Sequence, residues 1–174
     1  LSGTPAVVLS NLGLPNQDLQ TVVVEGSGVT FVNNVIGGPS QMVQIFLNLV
    51  AAAGGPRDEP SVLHGNAIGT DRTGTIDLSG GGNGVRISGS GNVGPHEIGG
   101  SGVGDGNIIR NMNTIGILVN GGVSGFIQGN EVSGNGQGIE LGSTGEWDVM
   151  DNIIASNAFD GIRAFQSCPV ALDC

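Results

Sequence analysis

The chain has 174 residues, 34 of them Gly and 16 Asn, with no Lys, no Tyr and five Arg, which excludes a helical bundle because Gly and Asn disfavour helix interiors. Apolar residues make up 38% and charged ones 11%, so the chain can bury a core and is not disordered; Gly does not recur every third residue, so it is not collagen. A formal charge of −10 repels phosphate and anionic lipid, and no apolar run approaches the roughly 20 residues of a membrane span, so neither nucleic-acid binding nor a membrane span is expected.

The chain opens at Leu1 without Met or a basic-then-apolar leader, as a processed form or an excerpt would. Leu1 to Leu9 reads as strand-like, with Ala6-Val7-Val8-Leu9, and Asn11-Leu-Gly followed by Val22-Val23-Val24 reads as a degraded first copy of a repeat. The next copy is Asn34-Val-Ile36 with Val43-Gln44-Ile45. This register makes Val43-Gln44-Ile45 a strand aligned with Val85-Arg86-Ile87. Met42 to Ala53 also fits a buried helix, and Leu47 to Ala53 stays open between strand and a short helical turn.

Asn66-Ala-Ile68 precedes Gly84-Val85-Arg86-Ile87, and Asn107-Ile-Ile109 precedes Gly116-Ile117-Leu118-Val119. The last two copies align without gaps: residues 127–135 match residues 149–157 at a shift of 22, and each leads into Gly138-Ile139-Glu140-Leu141 or Gly161-Ile162-Arg163-Ala164. From the Asn to its strand the interval is 9 or 10 residues in every copy but one, where a Gly- and Thr-rich insertion begins at Gly69. Insertions between conserved short strands are how a solenoid varies in length.

A period of 22 with three short strands per turn predicts an all-β chain coiled as a parallel β-helix, about six turns stacked roughly 4.8 Å apart. Ile139, Leu141 and Ile154 would face inward, and one outward column would read Gln44, Arg86, Leu118, Glu140, Arg163. Asn34, Asn66, Asn107, Asn130 and Asn152 form a predicted structural ladder, and Asn135 with Asn157 starts a second. At a tight corner Asn tolerates left-handed backbone angles, and its amide can donate to the neighbouring copy. Residues 1–165 would be one domain and 166–174 a tail, closed by a disulfide between Cys168 and Cys174 across a Pro; two free thiols or a metal pair are the alternatives.

The stretch Gly65-Asn-Ala-Ile-Gly-Thr-Asp-Arg-Thr-Gly-Thr75, then Gly82-Asn-Gly-Val-Arg-Ile-Ser88 and Ile98-Gly-Gly-Ser-Gly-Val-Gly-Asp-Gly-Asn-Ile-Ile109, resembles the repeat of secreted bacterial right-handed parallel β-helix proteins. The resemblance covers about residues 60–165 and implies a right-handed coil and an extracellular, cell-surface or periplasmic location, but no single activity. Relatives of that family include lyases and hydrolases of polysaccharides. The pectin-type lyases resemble one another in using Ca²⁺ and an Arg or Lys base. Here Arg86 and Arg163 share the outward column with a single carboxylate, Glu140, and Glu140 with Arg163 is expected to form a solvated ion pair. The polygalacturonase-like pattern keeps His64-Gly65 and Arg86-Ile87 but lacks its paired Asp, and Ser88 replaces its Lys, so no catalytic role is transferred.

Gly89-Ser-Gly-Asn-Val-Gly94 satisfies a dinucleotide pattern, yet Pro95 follows where a helix must begin, and the segment reads as a loop. His64 and His96 sit in loop-like surroundings without an activated Ser or Cys. Glu146, Asp148, Asp151 and Asp160 read as an acidic rim capable of weak Ca²⁺ binding at most, and no other cofactor is expected; Trp147 and Phe159 read as a core cap.

A β-helix has two open ends that need covers. The tail is the candidate at one; at the other, upstream chain missing from this sequence, self-stacking or a protein partner is expected. The function expected is therefore a non-catalytic extracellular scaffold module that associates through its ends or faces. The alternative is binding or cleavage of an acidic or neutral polysaccharide on Arg86, Glu140 and Arg163.

Overall fold

The computed structural model describes residues 7–10, 13–14, 20–25, 28–37, 43–50, 60–78, 81–165 and 170–173. Cys168 and Cys174 with their expected disulfide, Asn11, and residues 1–6 and 51–53 lie outside the described residues.

The described residues form seventeen strands and no helix. In chain order they begin β1 (Val7–Ser10), β2 (Gly13–Leu14), β3 (Gln20–Glu25), β4 (Val29–Val32), β5 (Val35–Ile36) and β6 (Val43–Val50). The middle holds β7 (Val62–His64), β8 (Ala67–Ile68), β9 (Asn83–Gly99), β10 (Ile108–Arg110) and β11 (Ile115–Gln128). Last come β12 (Glu131–Ser133), β13 (Gln137–Ser143), β14 (Trp147–Met150), β15 (Ile153–Ala155), β16 (Ile162–Ala164) and β17 (Val170–Asp173).

All named strands pair in parallel, each with strands one repeat away, so the pairs fall into three columns. In the first, Phe31, Leu63, Ile98, Ile127 and Val149 are successive Cα partners. The second is the six-stranded sheet, where Ile36, Ile68, Ile109, Val132 and Ile154 follow one another. In the third, Ile45, Val85, Ile117, Ile139 and Ile162 do the same. Every member of these rows except half-buried Ile154 and exposed Ile162 is buried and belongs to one apolar cluster. Stacking β-branched residues on their own kind keeps the same rotamer at each level, and each buried side chain contributes roughly 1.5–3 kcal/mol.

The first and third columns are joined into one 11-stranded sheet by the long strands β9 and β11. The N-terminal part of β9 pairs with β6 and its C-terminal part with β7, while β11 follows β9 along both, with register shifts around Val123. Gly89 to Gly94 therefore lies inside a strand rather than in the expected loop, and His64 and His96 are strand residues too.

The register of β6 also corrects the sequence alignment. Ile45, not Val43, stands opposite Val85, and Val43 stands opposite Asn83. The column expected to begin at Gln44 reads Val23, Phe46, Arg86, Leu118, Glu140, Arg163. The whole of Val43–Val50 is strand, which removes the helix reading there.

Candidate functional site

The predicted Asn ladder is present. Asn34 donates its backbone N–H and its Nδ2 to Oδ1 of Asn66, at 3.0 and 2.9 Å, and Asn66 does the same to Asn107 at 2.9 and 2.8 Å. Asn107 repeats the pattern on Asn130, and Asn130 on Asn152. The Nδ2 groups of Asn66, Asn107, Asn130 and Asn152 also donate to the carbonyls of Phe31, Leu63, Ile98 and Ile127, tying the first column to the second. In the second ladder Oδ1 of Asn135 accepts from the Met112 amide, and Oδ1 of Asn157 accepts from the Asn135 amide.

Except before Asn107, the left-handed backbone falls on the residue before the ladder position, not on the ladder Asn itself as expected. Asn33, Gly65, Gly129 and Asp151 have φ between 53° and 68°, and Asn111, Gly134 and Ser156 play this part ahead of Met112, Asn135 and Asn157. The ladder Asn is thereby turned inward, where its amide can bond and cannot meet a ligand.

Arg86, Glu140 and Arg163 do share one register column, but Leu118, only 8% exposed, separates Arg86 from Glu140. Glu140 and Arg163 are Cα partners yet form no ion pair with each other: Glu140 accepts from Gln137 Nε2, and the Arg163 guanidinium lies 5.2 Å from the Phe165 ring centre. A cation over an aromatic face is held there by the ring quadrupole. The three side chains thus do not converge on one point.

The sequence passed over another cluster. His64, on β7, has Nε2 3.3 Å from a Glu97 carboxylate oxygen and Nδ1 3.6 Å from one of Asp105. Glu97 is the Cα partner of Val62, two residues before His64, so both side chains stand on one face of the sheet. Asp105 is fixed by its own turn, accepting from the Gly102 amide at 2.9 Å, and its carbonyl accepts from Gly65 N–H. The only signal available beforehand was the isolated His64-Gly65 pair, because Glu97 and Asp105 are brought in by repeats of unequal length. Next to them an open cleft of about 410 Å³ runs between the 100–106 loop and Gln128, Gly129 and Asp151. The carboxylates flank opposite nitrogens of one ring and so do not point at a common ion. Among the described residues no three His, Cys, Asp or Glu form a metal-holding group, and Glu146, Asp148, Asp151 and Asp160 are not gathered into one.

Two further polar centres are structural. Arg110 is held by the Glu131 carboxylate and donates to the Gly74 carbonyl at 2.7 Å. Asp71 accepts from the Thr73 hydroxyl at 2.6 Å and from the amides of Thr75 and Ile76, which together hold its carboxyl well below the usual range. Trp147 is fully buried and donates its indole N–H to the Val123 carbonyl, while Phe159 is 80% exposed, so only the Trp belongs to the core.

Compared with known proteins, the chain matches no family model, no curated protein and no solved structure. No helix among the described residues is long and apolar enough to cross a membrane.

Proposed function

We propose that the chain is a right-handed parallel β-helix of about six turns, akin to the secreted bacterial repeat proteins its sequence resembles. In this reading it is a non-catalytic scaffold outside the cell, associating with itself or a larger assembly through its ends or faces, the N-terminal end included. The observation that carries it is the Asn ladder, which continues without a missing rung from Asn34 to Asn152. Such a ladder spends its polar side chains on rigidity along one axis, which suits a structural rod.

Polysaccharide binding on Arg86, Glu140 and Arg163 is the competing reading, favoured by their common column and by the Arg163–Phe165 stack. Replacing all three with Ala and assaying acidic and neutral polysaccharides, with and without Ca²⁺, separates the two. The scaffold reading expects no turnover and no saccharide binding by the wild-type chain. Turnover or binding that the triple variant loses would overturn it. Size-exclusion chromatography and electron microscopy of the wild-type chain test association directly.

A further inference from the structure

The loop of residues 100–106 has little apolar material to hold it. Its sequence is Gly100-Ser-Gly-Val-Gly-Asp-Gly106, and its one apolar side chain beyond Gly, Val103, is fully exposed. Asp105 supplies the ties. Its carbonyl accepts from Gly65 N–H at 2.8 Å, one carboxylate oxygen accepts from the Gly102 amide at 2.9 Å, and the other lies 3.6 Å from Nδ1 of His64. A segment with so few buried apolar contacts opens readily unless such ties keep it closed.

His64 joins this loop to the sheet. Its Nδ1 faces Asp105 while its Nε2 stands 3.3 Å from Oε1 of Glu97 on β9, closed off from water and without a well-aligned hydrogen bond. The two carboxylates also crowd one point: a Cβ on Gly100 would sit 3.0 Å from Oε1 of Glu97 and 3.1 Å from Oδ2 of Asp105. Negative charges this near repel, and the ring beside them decides whether the repulsion is relieved.

A neutral imidazole has one N–H and one lone pair, so between two carboxylates it serves one and turns its lone pair on the other. An imidazolium donates to both and carries the charge that offsets them. The other groups around the ring do not compete for this part. Val32, its Cα partner on β4, brings no charge. From the insertion after Gly69, exposed Arg72 donates to the Asn33 carbonyl, and Asn33 N–H donates to the His64 carbonyl at 3.0 Å; the Arg72 charge is the same in either state of the ring. Asp151, on the cleft, accepts from Gln128 Nε2 at 3.1 Å. His96, the chain's other imidazole, precedes Glu97 and so points to the opposite face, where it is fully buried and its Nδ1 accepts from Ser61 N–H.

We propose that His64 is a pH-operated latch on the cleft. Protonated, it bridges Glu97 and Asp105 and pins the 100–106 loop, which lines the cleft of about 410 Å³, against β7 and β9. As the proton leaves with rising pH one of the two ties is lost and the loop is released. The cleft is thus fixed in acid and yielding at neutral pH and above, and this holds whether or not the chain serves as a scaffold.

The test is amide hydrogen exchange by NMR at Gly65 and Gly102, read as protection factors at about pH 5.5 and about pH 7.5, a span in which imidazoles ordinarily change charge. It is run on the wild-type chain, His64→Gln and Asp105→Asn, with circular dichroism to verify that the folds are intact; His64 is half-buried on the outer face, so its replacement leaves the apolar rows untouched. The Cε1–H resonances of both imidazoles are followed in the same samples. The expected result for the wild type is protection at least about threefold higher at the lower pH, changing together with the His64 resonance. In both variants the protection at Gly65 should be the same at the two pH values. Equal protection at the two pH values in the wild type overturns the latch. So does a rise that persists in His64→Gln or Asp105→Asn, or one that follows the His96 resonance instead.

Discussion

Asn107 gives both of its donors, backbone N–H and side-chain Nδ2, to one oxygen of Asn130, at 3.0 and 2.9 Å. Both residues are 1% exposed, so water cannot replace either bond. Asn130→Ala strands those two donors and leaves the Ile98 carbonyl without its Nδ2 partner. At roughly 1–3 kcal/mol for each buried group left unpaired, a loss of about 3 kcal/mol or more is expected. Asn152→Ala, at the half-buried last rung, should cost less, about 1 kcal/mol, because truncating a side chain that borders solvent lets water in to the Asn130 donors it leaves behind. Urea unfolding followed by Trp147 fluorescence gives both numbers, and equal losses would contradict a ladder whose worth depends on burial.

Trp147 shares its acceptor. The Val123 carbonyl takes the indole N–H at 2.7 Å and lies 2.6 Å from the Ser143 hydroxyl, whose one proton it shares with the Gly121 carbonyl at 2.8 Å. Trp147→Phe should cost about 1 kcal/mol beyond the lost packing volume, since Ser143 still serves the carbonyl. Combined with Ser143→Ala, the loss should exceed the sum of the single changes by roughly 1 kcal/mol, because only the pair orphans the carbonyl. Thermal unfolding by circular dichroism closes this double-mutant cycle, and strict additivity would refute the shared bond.

Two glycines should respond in opposite ways. Gly134 has φ 67°, yet the equivalent corners hold Asn111 at 60° and Ser156 at 54°, and a Cβ there would meet its nearest neighbour at an ordinary 3.5 Å. Gly134→Asn should change stability by less than about 0.5 kcal/mol, while Gly134→Val should cost roughly 1–2 kcal/mol for a branched side chain at left-handed angles. At Gly125 a Cβ would sit 2.1 Å from the His96 carbonyl oxygen, so Gly125→Ala must push two strands apart and should cost about 3 kcal/mol. Chemical denaturation of the three variants orders them.

The Asp71 carboxyl is lowered first by the Thr73 hydroxyl and then by the Ile76 and Thr75 amides. A depressed folded value means that its contribution to holding the loop is complete above the ordinary carboxylate range and fades as pH falls through the lowered value. Hydrogen exchange at Thr75 and Ile76 should therefore stay slow down to about pH 3, below the range where an ordinary Asp titrates. In Asp71→Asn these amides should exchange faster at neutral pH and show no such dependence on acid. Loss of protection already near pH 4 in the wild type would contradict the bonding seen here.

The ladder and the inward rows were readable from the chain because Asn34 to Asn152 recur beside short Val and Ile runs. The two-residue error at Val43 has a clear origin. Val43, Ile45 and Leu47 alternate with period two, so sliding the strand by two keeps the same parity inward, and parity alone cannot choose between Val43 and Ile45. The loop expected at Gly89 to Gly94 was misplaced for another reason: its Gly, Ser and Asn content suits a turn, and only pairing with β11 makes it strand. Beyond the His64-Gly65 pair, His64, Glu97 and Asp105 left no local trace, because the insertion after Gly69 and the long β9 set their separations.

Every rung of the ladder points the same way: donors belong to the earlier Asn and the accepting oxygen to the later one. During synthesis on a ribosome the amides of Asn34 emerge first and wait, with Asn66 still to be translated, and the same delay recurs at each level. The bonds of one layer are thus completed only when the next is in place, and in the last rung Asn152 has its Nδ2 bonded to the layer below.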